Sequence, residues 1–365
     1  MPHVPFYLDY FGSFLDKYSV FLKKAGRWES KYLQYDICNI EVKKPLYITG
    51  LARAGSTILL ETLNDHPDMV SFQYRDYPFI HFAAFWDIIR KPIPPVKKKI
   101  ERGHRDRIMI NNQSPEALEE ILWMSFFDHL HDVKQSNILT DSANNKDFES
   151  FYDESIRKLL FFRKARRYLC KNNANIGRLK YIYSLYPDAK FIIPIRRPEE
   201  HVFSLIKQHR LITAEQEASP RALRYMQRHG HHEFGQDFRP LNFDDNETTA
   251  DILADWEIGD LIHAYSTYWA ETYGYLHKTL QANPALRSSC MIIRYDDLCA
   301  APESTLAALL DFCDLDEGAQ DIIKAWSDKI SPPTYYKNDF TNEEKKHLDE
   351  LTKDTASLYW PRIKA

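Results

Sequence analysis

The sequence predicts an α/β fold: a parallel β-sheet with helices on both faces, a helical N-terminal extension and insertions. Three observations carry this. Short apolar runs at Leu46–Ile48, Phe191–Ile195 and Met291–Arg294 are separated by helical segments, the order that builds parallel sheets. The first run enters a glycine-bounded loop, Gly50 to Gly55, followed by a helix from Ser56 with Ile58, Leu59 and Leu63 on one face. The second enters Arg196-Arg197-Pro198, where Pro198 suits the first turn of a helix and Glu199 and Glu200 suit its positive end. Ligands of such sheets sit at the carboxyl ends of the strands, so the Arg53 and Arg196 loops should meet there.

Composition narrows the class. A chain of 365 residues with 44% apolar content has material for a sizeable core. Mean hydropathy is −0.50, and no apolar run reaches the ~18 residues of a membrane span. The N-terminus lacks a basic start, and Asp9 and Asp16 interrupt its apolar stretch, so it does not read as a signal peptide. The five cysteines (38, 170, 290, 299, 313) form no Cys-x-x-Cys and read as reduced residues of a cytoplasmic protein. A net charge of −4 excludes a broadly basic nucleic-acid binder but not a protein with a small anionic ligand, for which a local cluster suffices. Nothing in the chain sets an oligomeric state.

The elements follow in order. Residues 1–43 form the extension; Tyr7, Phe11, Phe14, Leu15, Tyr18, Phe21 and Leu22 keep 3–4 spacing and are expected to pack on the main domain, residues 44–365. Residues 91–107 read as a proline-interrupted basic loop inside an insertion at about 80–165. Ser114 to Glu120 reads as a capped helix start, with helix expected over 115–131 and 152–167. Helix 199–211 follows the second strand, and 213–255 reads as a polar insertion with little periodicity. Helices at 256–280 and 302–313 flank the strand at 291–294, and Thr341 caps a C-terminal helix.

The loop spacing Gly50-x-x-x-x-Gly55-x-Thr57 is P-loop-like, with one departure. Ser56 stands where a nucleoside-triphosphate site needs lysine, and the positive charge sits inside the loop as Arg53. Backbone N–H groups and a helix N-terminus still offer an anion cradle. The loop therefore fits an anion other than a magnesium-bound triphosphate, held without a metal.

Ala52-Arg53-Ala54-Gly55-Ser56-Thr57 resembles the Pro-Arg-Ser-Gly-Thr-Thr loop of sulfotransferases, which use 3′-phosphoadenosine 5′-phosphosulfate (PAPS) as donor. Arg196 and Ser204 keep the spacing of the arginine and serine that grip the donor's 3′-phosphate in that family. Lys171-Asn172-Asn173 resembles its Lys-x-Pro block, and Arg294-Tyr295-Asp296-Asp297-Leu298 with Pro302-Glu303 its Arg-Tyr-Glu-Asp-Leu…Pro-Glu segment. Tyr74 to Phe79, Ser114 to Glu120 and Gly230 to Gly235 resemble blocks of a bacterial branch. The resemblance spans about 45–360 and implies a metal-independent transferase. Arg53, Ala54, Gly55, Ser56, Thr57, Arg196 and Ser204 would bind PAPS, and Arg53 and Lys171 would stabilise the leaving oxygen. The implied acceptor is a hydroxyl or amine of a carbohydrate, lipid or small molecule.

The base is less determined. The family's cytosolic branch places a histidine where this chain has Asn173; other branches use a carboxylate after the first helix, which points to Asp76. His81 is a second candidate, and His231, His232 and Glu233 a third. The competing reading of Asp76 is an ion pair with Arg75 or a turn cap. No His-Glu-x-x-His spacing marks a metal site. Two rivals remain: a P-loop-type kinase, disfavoured by Ser56, and a non-catalytic binder of the sulfonucleotide.

Overall fold

A computed structural model describes residues 9–10, 12–13, 18–92, 98–101, 108–332 and 338–361. Five strands form one parallel sheet: β1 (Leu46–Ile48), β2 (Met69–Val70), β5 (Arg167–Lys171), β6 (Lys190–Ile195) and β7 (Cys290–Arg294), in the order β2-β5-β1-β6-β7. Apart from the sheet, β3 (Ile100–Glu101) in the basic loop pairs antiparallel with β4 (Met109–Ile110) just after it; residues 93–97 and 102–107 of that loop lie outside the described residues.

Alternation along the strands sorts the core into two layers. Tyr47, Tyr168, Cys170, Phe191 and Ile193 enter one apolar cluster with Trp269, Tyr273 and Leu276 of the helix Leu261–Ala282. Leu46, Ile48, Leu169 and Ile192 enter the other, with Leu59 and Leu63 of the helix Ser56–Asn64 and Leu306 and Leu309 of the helix Pro302–Phe312. Burial on both faces explains why the strands read as continuous apolar runs. Ile48 stands opposite both Lys171 and Ile192, so β1 and β5 end level while β6 runs on to Ile195, and the loops after all three leave the same edge of the sheet.

Proline begins the helices Pro198–Ala218, Pro220–Arg228, Pro284–Ser288 and Pro302–Phe312, where its missing N–H costs nothing. The C-terminal helix Asn342–Tyr359 starts at a reciprocal capping box between Thr341 and Glu344.

Four expectations are corrected. The helix from Pro198 runs to Ala218 rather than stopping near 211. Its polar residues are buried: His209 Nδ1 lies 2.9 Å from the Tyr265 hydroxyl, and Gln216 Oε1 accepts the Gln236 N–H at 2.7 Å. The segment after it holds two helices, Pro220–Arg228 and Asn246–Glu257, rather than an aperiodic insertion. Between 115 and 131 only Glu120–Met124 is α-helical, because 114–116 pairs with Phe72 and Gln73 and buried donors claim both acids. Glu119 accepts from Trp123, Tyr152, Tyr168 and Asn175, while Glu120 accepts from Asn172 and both Arg178 nitrogens. Finally, Phe21 does not pack on the body; it is 62% exposed, and Leu22 is the buried neighbour. Of the other expected packing residues, Tyr7, Phe11, Phe14 and Leu15 lie outside the described residues.

Candidate functional site

The site forms where β1, β5 and β6 end. The loop after β1 turns sharply and requires glycine at Gly55, at φ 103°, where a Cβ would stand 2.8 Å from the Tyr295 ring. Arg53 itself holds a left-handed backbone at φ 70°. The helix Pro198–Ala218 fixes this loop through His201. Trp269 donates its indole N–H to His201 Nδ1 at 3.2 Å, which leaves His201 Nε2 protonated to donate to the Ala52 carbonyl at 2.8 Å. Burial holds the His201 imidazole neutral, with its pKa lowered to about 3. The β5 loop is tied in through Thr49, whose hydroxyl donates to the Asn173 carbonyl at 3.1 Å.

A cleft of about 430 Å³ opens beside the loop. Arg53, Gly55, Ser56 and Thr57 line one wall, and Arg196 and Tyr295 another. The Arg196 guanidinium lies over the Tyr295 ring, 5.3 Å from its centroid. Lys99 and Lys329 add two cations; Glu61 is the acid in the described lining. Ala54 is fully buried within the loop, and Ser204 is off the cleft, its hydroxyl accepting from Arg53 Nε at 3.4 Å. Ser204 thus orients the loop arginine from behind.

On the other side of Arg53 a smaller space of about 60 Å³ is bordered by Arg53, Ser56, Thr57, Glu116, Lys171, Asn173, His231 and Glu233. Here Asn173 donates to Glu233 Oε1 at 2.6 Å, and His231 Nδ1 lies 3.8 Å from Glu233 Oε2. Burial raises the Glu233 pKa, but the charges of His231 and Lys171 and the Asn173 hydrogen bond outweigh it and hold the carboxyl below its ordinary value. Gly230, at φ 67°, lets this segment approach; a Cβ there would stand 2.4 Å from Glu120 Cγ.

Lys171 and Arg53 therefore meet as the sequence suggests. His232 lies one residue away from the loop-facing space, 5% exposed, with its Nδ1 3.1 Å from Asp237 and its ring 4.7 Å from that of His131. Asp76 and His81 are not brought here. Asp76 is fully buried; its Oδ2 accepts the Gln73 N–H at 2.8 Å and its Oδ1 accepts from Arg163 at 2.6 Å. Both oxygens are occupied and it borders neither space, so it does not stand as a base. Asp76 thus caps the turn at Gln73, and its ion pair is with Arg163 rather than Arg75. His81 is 2% exposed and bonds Ser125 Oγ at 2.8 Å; since that hydroxyl donates to Ile121, His81 Nε2 is the donor. Burial, helped by Lys23 and Lys158, lowers its pKa to about 3, and it borders neither space. Sequence reasoning underweighted Glu233. The signal available was its place beside Gly230, His231 and Gly235, a loop whose glycines permit close approach.

Among the described residues, no group of three potential metal ligands converges and no helix is long and apolar enough to cross a membrane. The sheet order and the lysine-free glycine loop define a P-loop-like α/β protein. Residues 45–318 match the sulfotransferase family. The chain belongs to that family. Among solved structures it is similar to sulfotransferase STF9 from Mycobacterium avium, at a TM-score of 0.53 and 14% identity over 90% of this chain and 81% of that one. It also matches sulfotransferase STF1 from Mycobacterium tuberculosis H37Rv, at a TM-score of 0.46 and 15% identity over 93% and 86% of the two chains. A third match is a sulfotransferase from Alicyclobacillus acidocaldarius, at 0.42 and 15% over 87% and 94%. No curated protein matches the chain.

Proposed function

We propose that this protein transfers a sulfuryl group from PAPS to a hydroxyl or amine of a small-molecule, lipid or carbohydrate acceptor. The observation that carries the reading is the pairing of Arg53 and Arg196 on two loops around one cleft, with Ser56 in place of a triphosphate lysine. In this reading the amides of Ala54 to Thr57 and Arg53 hold the 5′-phosphosulfate, and Arg196 holds the 3′-phosphate. Ser204 acts through Arg53. Glu233 replaces Asp76 as the proposed base, because it is the carboxylate held beside Lys171 and Arg53 by a neighbouring side chain.

The step balances simply. The acceptor oxygen or nitrogen bonds to sulfur as the bond from sulfur to the phosphate oxygen breaks. Glu233 takes the acceptor's proton. Arg53 and Lys171 stabilise the negative charge that develops on the departing phosphate oxygen.

Donor identity is tested by thermal unfolding. The product 3′-phosphoadenosine 5′-phosphate should raise the melting temperature, while ATP with magnesium should do so far less; saturation near 100 times Kd adds about 2.7 kcal/mol. Equal shifts would point to a kinase. The two arginines should separate kinetically. Arg196→Ala should mainly raise KM for the donor, whereas Arg53→Ala should also lower kcat, each losing about 1.5–3 kcal/mol of charge-assisted binding. Unchanged donor affinity in Arg196→Ala would remove it from the site.

A further inference from the structure

The helix Ser19–Tyr32 and the short helix Gln34–Ile37 turn one exposed aromatic face outward. Leu22, Gly26, Glu29, Leu33 and Ile37 are buried against the body. At about 100° per residue, positions 21, 24, 28, 31, 32 and 35 fall on one opposite arc. That arc carries Phe21, Trp28, Tyr32 and Tyr35, which are 62%, 65%, 69% and 83% exposed. Lys24 and Lys31, also exposed, stand among them. The two acids of the segment are off the arc: Glu29 is buried in an ion pair with Lys158 at 2.8 Å, and Asp36 follows Tyr35 around the helix. The apolar surface continues beyond the helix. Trp28 and Tyr32 lie 5.5 and 5.6 Å from Phe85, whose helix Ala83–Ile89 exposes Ile88 and Ile89 at 51% and 61%.

Four large exposed aromatic side chains on one face of a polar protein need a cover. Charge selects among covers. The whole chain is acidic, at −4, yet this arc holds cations only. A second copy docking the same face would add two more lysines to one that already carries Lys24 and Lys31, with no acid on either arc to pair them. A negatively charged bilayer surface instead satisfies both chemistries. Trp, Tyr and Phe rings settle at the depth of the headgroups, and lysine stems lie along them while the ammonium groups reach lipid phosphates. We propose that this aromatic and lysine face docks the protein reversibly on an anionic phospholipid surface. The inference is independent of the transfer chemistry, since none of these residues borders the cleft.

Flotation of the full chain with lipid vesicles tests it. The protein should float with mixed phosphatidylcholine and phosphatidylglycerol vesicles, not with phosphatidylcholine alone, and salt should weaken the association. Lys24→Gln with Lys31→Gln should reduce partitioning by about 25-fold, at about fivefold per cation. Trp28→Ser should reduce it as well. All three side chains are exposed, so unchanged melting temperatures confirm that the variants are folded. No flotation, equal flotation on both vesicles, or variants that float like the parent would each overturn the proposal. So would a concentration-dependent dimer that Trp28→Ser abolishes in the absence of vesicle binding, which would assign the face to a second copy.

Discussion

Glu233→Gln should lower kcat by about 10²–10⁴ while leaving the melting-temperature shift with 3′-phosphoadenosine 5′-phosphate intact. Glutamine keeps the volume, and its side-chain carbonyl can still accept from Asn173, so only basicity is lost. Glu116 also borders the space and serves as the control; its Oε1 is engaged with the Ala117 N–H at 3.0 Å. Near-normal turnover in Glu233→Gln with loss in Glu116→Gln would transfer the role. The pH profile offers a second check. Burial raises the Glu233 pKa, but His231, Lys171 and Asn173 more than offset this, so it lies below the ordinary 4.5. The ionised base then predominates at and above 4.5, and turnover should fall as pH drops through the lowered value. An acid limb set by Glu233 at or above 4.5 would contradict the assignment.

Asp76→Asn should act on stability rather than on chemistry. Arg163 is 9% exposed and sits between Asp76 at 2.6 Å and Asp87 at 3.0 Å, anchoring the turn at 74–76 to the helix Lys146–Arg163. Removing one charge leaves a buried guanidinium undercompensated, which costs about 3 kcal/mol or more. The urea midpoint should drop with an unchanged slope, while kcat per folded molecule stays close to the parent value. Arg163→Met with Asp76→Leu should remain destabilising, because Asp87 loses Arg163 and the Gln73 N–H loses its acceptor, but by less than the sum of the two single changes, since the Arg163–Asp76 pair is then removed as a unit. A stable Asp76→Asn protein with kcat reduced a hundredfold would restore Asp76 as the base.

The sequence by itself determined the parallel α/β architecture, the first loop with its helix, and the second arginine. These are local signals: an apolar strand, a glycine pair at fixed spacing and a proline at a helix start all act through neighbours in the chain. The two-residue strand β2 and the five-residue β5 carry no local signal. One is too short to carry a pattern, and the other begins and ends in charged residues, Arg167 and Lys171. The helix to Ala218 carries no clear apolar stripe because its buried face contains Gln208, His209 and Gln216, of which His209 meets Tyr265 and Gln216 meets Gln236, residues distant in the chain. The surroundings of each carboxylate belonged wholly to the tertiary structure. Asp76 and Glu233 look alike as residue types, but one meets Arg163 across 87 residues and the other meets Asn173 across 60. A carboxylate's role depends on which charges and donors surround it, and those come from segments that only folding brings together.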